Sequence, residues 1–148
     1  MISTSLLLLL LLAAVHSDVH CVELIQLGST VLTPGQSMTL TCKVSGYSLT
    51  DRNYCTGWIR QPAGKVLEWI GHICSSGGTA YSVKLKSRFQ VSRDTSSSTV
   101  TLTGQNMQTE DTAVYYCGRT GIGKGYFDQW GKGTSVTVTS AVQSAPKS

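Results

Sequence analysis

Asp111-Thr112-Ala113-Val114-Tyr115-Tyr116-Cys117 is the stretch that decides the fold. It ends on a cysteine 75 residues after Cys42, and Trp58 stands 16 residues after Cys42. This is the spacing of two β-sheets pinned through their middle by one disulfide. A buried indole covers the bridge, and a tyrosine two residues before the second cysteine turns the corner into its strand. Outward from this frame the chain is built of short alternating runs. In Met38-Thr39-Leu40-Thr41-Cys42-Lys43-Val44 every second residue is apolar, so one face of an extended strand meets a core and the other meets water. Phe89 and Val91, Val100 and Leu102, and Val136 and Val138 repeat the pattern. Turn chemistry separates the runs at Thr33-Pro34-Gly35-Gln36, Pro62-Ala63-Gly64-Lys65, Ser76-Gly77-Gly78 and Ser96-Ser97-Ser98. Helical periodicity is almost absent, and the expected class is all-β.

Three further segments accompany the opening stretch: Trp58-Ile59-Arg60-Gln61-Pro62, Leu67-Glu68-Trp69-Ile70-Gly71 and Trp130-Gly131-Lys132-Gly133-Thr134. Together, and in this order, the four resemble an antibody heavy-chain variable region from about Val22 to Ser140. The resemblance implies an immunoglobulin V-type two-sheet Greek-key sandwich. Tryptophan at position 130 fits a heavy chain, because light chains and T-cell receptor chains usually carry phenylalanine before the Gly-x-Gly bulge.

The chain has 148 residues, which suits one domain preceded by a processed leader. Leu6 to Leu12 is an unbroken leucine run extended by Ala13-Ala14-Val15, too short for a bilayer span of about 20 residues. It reads as a signal-peptide core, although no Lys or Arg precedes it. Cleavage fits after Ser17 or after Cys21. Cutting after Cys21 leaves four cysteines, an even number for an oxidising compartment. The expected organisation is a signal peptide over 1–21, a V-type domain over 22–140, and the start of a constant-region junction over 141–148. Net charge is +4, with basic residues scattered rather than clustered, so the charge reads as solubility and no nucleic-acid partner is expected. Nor is direct membrane insertion of the mature domain.

Cys55 and Cys74 lie outside the framework pattern. The segment between them turns at Ala63-Gly64-Lys65. Cys55 is nine residues before Gly64 and Cys74 nine after Lys65, so a hairpin centred between Gly64 and Lys65 places them opposite each other. Cys55 is outward by its phase from Trp58. Cys74 would be inward in an unbroken strand; the resemblance puts a twist near Gly71, with Ile73 inward and Cys74 outward. A second disulfide, Cys55–Cys74, is expected to join the first and second loops, with two free thiols as the alternative. A zinc site of Cys55, Cys74 and His72 would lack a fourth ligand.

Strand phase also sets out a face. Ile59, Leu67, Trp69, Tyr116 and Trp130 share the outward side of one sheet, an apolar set of the kind that marks an interface. The resemblance makes its partner a light-chain variable domain. The alternative is a patch covered by the domain's own third loop. Single-domain antibodies carry polar replacements near Val66, Leu67 and Trp69, and this chain keeps the apolar residues. The resemblance further implies two ion pairs, Arg88 with Asp111 and Arg119 with Asp128.

Three loops are expected at one end of the sandwich: Gly46 to Thr56, His72 to Tyr81, and Thr120 to Gln129. They are rich in tyrosine, serine, glycine and asparagine, a composition suited to recognition. The candidate antigen contacts are Asp51, Arg52, Asn53, Tyr54, His72, Ser75, Ser76, Tyr81, Ile122, Lys124 and Tyr126. Arg52 and Lys124 bias the surface toward an acidic or polar epitope. The alternating glycines at 121, 123 and 125 are not a phosphate loop, since no helix follows and no Lys-Ser or Lys-Thr completes the motif.

His72 is the only histidine after the leader, and no carboxylate pair or nucleophile–base arrangement surrounds it, so no catalytic residue and no cofactor are expected. The resulting expectation is antigen recognition as the heavy-chain variable domain of an antibody or B-cell receptor. The chain would be secreted or held at the cell surface, with a light chain, an antigen and a constant region in cis as partners. Another V-type receptor domain, such as a T-cell receptor chain, is the runner-up.

Overall fold

The computed structural model describes residues 21–140. The expected leader and the junction segment fall outside the described residues, apart from Cys21, which is exposed and unbonded.

Eleven strands form two sheets. In chain order they are β1 (Glu23–Gln26), β2 (Ser29–Leu32), β3 (Met38–Ser45), β4 (Tyr54–Gln61), β5 (Glu68–Cys74), β6 (Thr79–Tyr81), β7 (Phe89–Asp94), β8 (Thr99–Gly104), β9 (Ala113–Gly121), β10 (Phe127–Trp130) and β11 (Thr134–Val138), with a 3₁₀ turn at Thr109–Asp111 before β9. One sheet runs β1-β3-β8-β7. The other runs β2-β11-β9-β4-β5-β6, with β10 added to β9. All pairs are antiparallel except β2 with β11. This is the all-β V-type sandwich that the resemblance implies.

β3 alternates buried and exposed along its whole length, so its pattern is legible from polarity alone. β4 behaves differently: Cys55 through Arg60 are all buried, on both faces. The upper half of β9 is also buried throughout, from Tyr115 to Thr120 apart from half-buried Tyr116. These two strands lie in the middle of the larger sheet, with β10 paired beside β9 and the Phe127 ring lying against Gly118.

Between the sheets, Cys42 and Cys117 are bonded with Cα atoms 6.3 Å apart. Trp58 pairs with Cys117 across β4 and β9 and is fully buried beside the bridge. Met38, Ile70, Val100, Leu102, Met107 and Val136 complete the core.

Cys55 and Cys74 are also bonded, at a Cα separation of 4.0 Å, the narrow kind of antiparallel pair. Their opposition arises differently from the simple hairpin count. Ile59 faces Trp69 and Arg60 faces Glu68, which centres the turn on Gly64, while Trp58 faces Gly71. The register therefore shifts by one residue at Ile70, a β-bulge, and that extra residue brings Cys55 opposite Cys74. The same bulge explains why Ile70 and Ile73, three apart, are both buried in the core.

At the lower end, Asp111 is almost completely buried, at 1% exposure, and its carboxylate accepts four hydrogen bonds. The donors are Arg60 Nη1 (2.8 Å), Arg88 Nη2 (2.9 Å), Arg88 Nη1 (3.0 Å) and the Gln108 backbone N–H (2.8 Å). The Arg88–Asp111 pair is thus present, but Asp111 is shared with Arg60. Arg60 is 5% exposed, and its Nε donates to Glu68 at 2.8 Å. The Tyr115 hydroxyl donates to the Asp111 backbone carbonyl at 2.7 Å and accepts from Arg60. Burial alone would discourage Asp111 from ionising. The hydrogen bonds of Arg88, Gln108 and Arg60 outweigh it and hold the carboxyl below its usual range. Burial pushes the Tyr115 hydroxyl up to about 12, against the opposing pull of Arg60.

Candidate binding site

The outward face of β4, β5 and β9 is apolar and largely open. Val66 and Leu67, just before β5, are exposed, as are Trp69 (36%) and Trp130 (42%), and Tyr116 is half-buried with its ring edge-on to Trp130. Ile59 departs from expectation. It has the outward phase but is only 7% exposed, because it sits between Trp69 and Tyr116 on its two neighbouring strands and below Trp130. The face therefore presents its large aromatic residues, with Ile59 as their floor.

Above this face the three loops are tied together at their bases. The Cys55–Cys74 bond joins the first to the second. Arg93, on β7, adds a polar link between the same two loops: it donates to the carbonyls of Leu49 (2.9 Å), Cys74 (2.9 Å) and Ser75 (2.8 Å). The third loop is held by Arg119, whose Nε and Nη2 donate to the two carboxylate oxygens of Asp128 at 3.2 and 2.9 Å. The same guanidinium lies 3.9 Å above the Tyr54 ring and 5.1 Å from Tyr47, so one cation joins the first loop to the third. Arg119 holds the Asp128 carboxyl below its usual range, and that contact raises Arg119 itself. Burial pushes the Tyr47 hydroxyl up to about 12, with its 2.6 Å contact to Thr56 working the other way. A backbone bond from Ile122 to the Asn53 carbonyl (2.9 Å) closes the junction.

Two glycines make this packing possible. A Cβ on Gly118 would overlap the Phe127 ring, which seats β10 directly on β9. A Cβ on Gly57 would overlap His72 and the Gly71 carbonyl, so Gly57 lets β5 pass close under the loops.

The expected contact residues are not all alike. Arg52, Asn53, Ser76, Ile122, Lys124 and Tyr126 are exposed at the loop end, and Ser75 is half-buried. The Asp51 carboxylate accepts the Asn53 N–H at 2.9 Å, so it shapes the first loop. Tyr54 is half-buried beneath Arg119. The Tyr81 hydroxyl accepts the Val91 N–H at 2.8 Å, and its half-buried ring packs on the core, so it braces β6 against β7. His72 is half-buried with its ring 5.4 Å from Trp69, and burial lowers its pKa. One of its ring nitrogens and the Cys55 and Cys74 sulfurs lie within 4.8 Å of one another, but the sulfurs are bonded to each other and are not thiolate ligands.

Four residues that matter to the site are absent from the expected set. Arg60 shares the inward phase of Trp58, and a charge at an inward position demands a buried partner, so the sequence does hold a signal for it. Phe127 forms a wall of the loop cluster, and its neighbour Gly118 is the clue. Arg93 and Gln26 carry no local signal. Gln26 Oε1 accepts the N–H groups of Cys117 and Gly133, both at 3.1 Å, and its Nε2 donates to the Tyr115 carbonyl at 2.9 Å; these links depend on the tertiary approach of β1 to β9.

Comparison with known proteins agrees with this geometry. The family model described as immunoglobulin V-set domain matches residues 28–139. The chain is similar to the mouse Ig heavy chain V region MOPC 141, with 48% identity over 126 residues, covering 80% of this chain and 86% of the relative. It is 44% identical to the mouse Ig heavy chain V region MOPC 315 over 133 residues, covering 90% and 96%. It is 46% identical to the Xenopus laevis Ig heavy chain V region XIG8 over 114 residues, covering 76% and 82%. Domains of this type bind and do not catalyse. The chain belongs to the immunoglobulin V-set family, as a variable domain of the antibody heavy-chain type.

Proposed function

We propose that this domain recognises antigen as the heavy-chain half of an antibody or B-cell receptor and pairs with a light-chain variable domain. The observation that carries the pairing is the open aromatic face of Val66, Leu67, Trp69 and Trp130, adjoining a loop end that is polar and tyrosine-rich. Water against that face costs about 25 cal/mol per Å² of apolar surface, so a second sheet laid on it is stabilising. A signal peptide over 1–21 delivers the chain to an oxidising compartment, where both disulfides persist. From there it is secreted or displayed at the cell surface, with a constant region continuing beyond residue 140. No helix among the described residues is long and apolar enough to cross a membrane.

The Cys55–Cys74 bond serves recognition by fixing the first and second loops before antigen arrives. That lowers the ordering cost of binding. Co-expression of the chain with a panel of immunoglobulin light chains, followed by size-exclusion chromatography, tests the pairing. A one-to-one heterodimer lost on Leu67→Glu is the expected result. A chain that stays monomeric with every light chain would end the pairing reading.

A further inference from the structure

Among the described residues, one cluster of side chains gathers three groups able to ligate a metal. Cys55 on β4 and His72 and Cys74 on β5 bring two sulfurs and one imidazole nitrogen within 4.8 Å of one another. Backbone pairing holds this arrangement independently of the Cys55–Cys74 bond. Cys55 stands opposite Cys74 on one side and Thr120 on the other, and His72 stands between Gly57 and Ala80. The Cys74 N–H donates to the Gly78 carbonyl at 2.9 Å, and the Cys74 carbonyl accepts from Arg93 at 2.9 Å. The His72 ring leans on Trp69, with 5.4 Å between centroids. The two disulfides also differ in access. Cys42 and Cys117 are fully buried, whereas Cys74 is half-buried at the loop end. A small thiol therefore meets the Cys55–Cys74 bond first.

We propose that reduction of Cys55–Cys74 by a low-molecular-weight thiol turns this cluster into a site for a thiophilic divalent cation of the zinc class, held by both sulfurs and one His72 nitrogen. Two molecules of the thiol are oxidised to their disulfide, and Cys55 and Cys74 each gain one electron and one proton. The cation then displaces both protons to solvent. Two thiolates neutralise its double charge, so a partly buried site costs little in desolvation. Sulfur and imidazole donors select ions of the zinc class over magnesium or calcium. Bonds of about 2.3 Å to sulfur and about 2.0–2.1 Å to nitrogen place tetrahedral donors roughly 3.6–3.8 Å apart, which side-chain rotation on this backbone reaches. Three protein ligands leave the fourth position open to water or to a donor from a bound ligand. The ion then links the first and second loops where the bond had joined them.

The test uses the full chain, alone and paired with a light chain. Protein treated with a small thiol, then freed of it in the absence of air, is titrated with cobalt(II) as an absorbing stand-in for zinc. Alkylation and peptide mapping should find Cys55 and Cys74 free and Cys42–Cys117 intact. We expect one cobalt per chain with sulfur-to-cobalt charge-transfer absorption, displaced by zinc, in the free chain and the heterodimer alike. Oxidised protein, and the variant Cys55→Ala with Cys74→Ala, should lack that absorption. His72→Ala, which keeps the backbone and both sulfurs, should weaken cobalt binding about ten-fold or more, at least the cost of losing a supporting group. Opening of Cys42–Cys117 at the same thiol concentration, absence of the absorption in reduced protein, or unchanged affinity in His72→Ala would overturn the site. So would loss of the ion on light-chain pairing. Failure to pair with any light chain counts against the pairing reading alone, and the free-chain titration then decides the metal site.

Discussion

Replacing Asp111 by Asn removes one negative charge from beneath two arginines and leaves the shape almost unchanged. Arg60 is buried and donates both to Asp111 and to Glu68, and Glu68 is also paired with Lys84 at 3.2 Å. In the Asp111→Asn variant Arg60 keeps only Glu68 as a charge partner, and an amide NH₂ faces donors where a carboxylate oxygen accepted them. Breaking a buried pair by removing one partner costs about 3–5 kcal/mol. Against a typical total of about 5–15 kcal/mol, that is a large share of the stability. A drop of roughly 10–20 °C in melting temperature corresponds to it for a domain of this size. Arg88→Ala provides the contrast. Its side chain is 31% exposed and Asp111 keeps Arg60, so the expected loss is about 1 kcal/mol. Acid dependence carries a second signature. Asp111 and Glu68 both have folded-state pKa values below their unfolded ones, so their contribution is fully present above about pH 4 and is lost as pH falls through the folded values. The wild-type domain should therefore lose stability on acidification below pH ~4, and Asp111→Asn should flatten that slope. Urea unfolding followed by tryptophan fluorescence, with disulfides intact and at several pH values, measures both. If Asp111→Asn costs no more than Arg88→Ala, or leaves the acid slope unchanged, the shared-carboxylate account is wrong.

Other consequences are as direct. Cys55→Ala with Cys74→Ala removes a link across 19 residues, worth about 3 kcal/mol by loop closure against about 4 for the 75-residue Cys42–Cys117 link. The double variant should still fold, with its denaturation midpoint lowered accordingly, whereas loss of Cys42 should prevent secretion. Arg119→Ala frees Asp128 and uncovers Tyr54, so amide hydrogen exchange should quicken across 121–129 and in the first loop while β3 and β8 remain protected. Gly118→Ala forces the Phe127 ring from its seat; it should lower stability by about 1–3 kcal/mol as an overpacking change, as judged by denaturation.

Much of the fold is legible in the sequence because β3, β7, β8 and β11 each have one wet face. For such strands polarity reports orientation residue by residue, as Met38 through Val44 show. β4 and β9 carry less of that signal. Their inner face meets the core, and large aromatic neighbours on the adjoining strands shield parts of the outer one, so Ile59 looks exposed by phase yet is buried. Tyr81 has a bracing contact that its sequence position does not reveal. It stands at the end of a loop-like segment, but its hydroxyl is satisfied by Val91, 10 residues later on another sheet. The disulfides illustrate both limits. Cys42–Cys117 follows from spacing and phase. A symmetric count pairs Cys55 with Cys74 while omitting the bulge at Ile70 and placing the turn half a residue late; the two errors cancel.

The arrangement of links around the loops has a physical logic. A loop built of Ser, Gly and Asn has little side-chain burial with which to offset its backbone entropy, about 1–2 kcal/mol per residue fixed. Each of the three loops here is instead restrained where it leaves the sandwich: by the Cys55–Cys74 bond, by Arg93 reaching three carbonyls, and by Arg119 between Asp128 and Tyr54. None of these restraints uses an exposed loop-tip residue. Arg52, Ser76, Ile122, Lys124 and Tyr126 remain available to a ligand. Substitutions at the tips can therefore change what is bound without disturbing what positions the loops. The disulfide and arginine links remain as a common floor beneath different tip sequences.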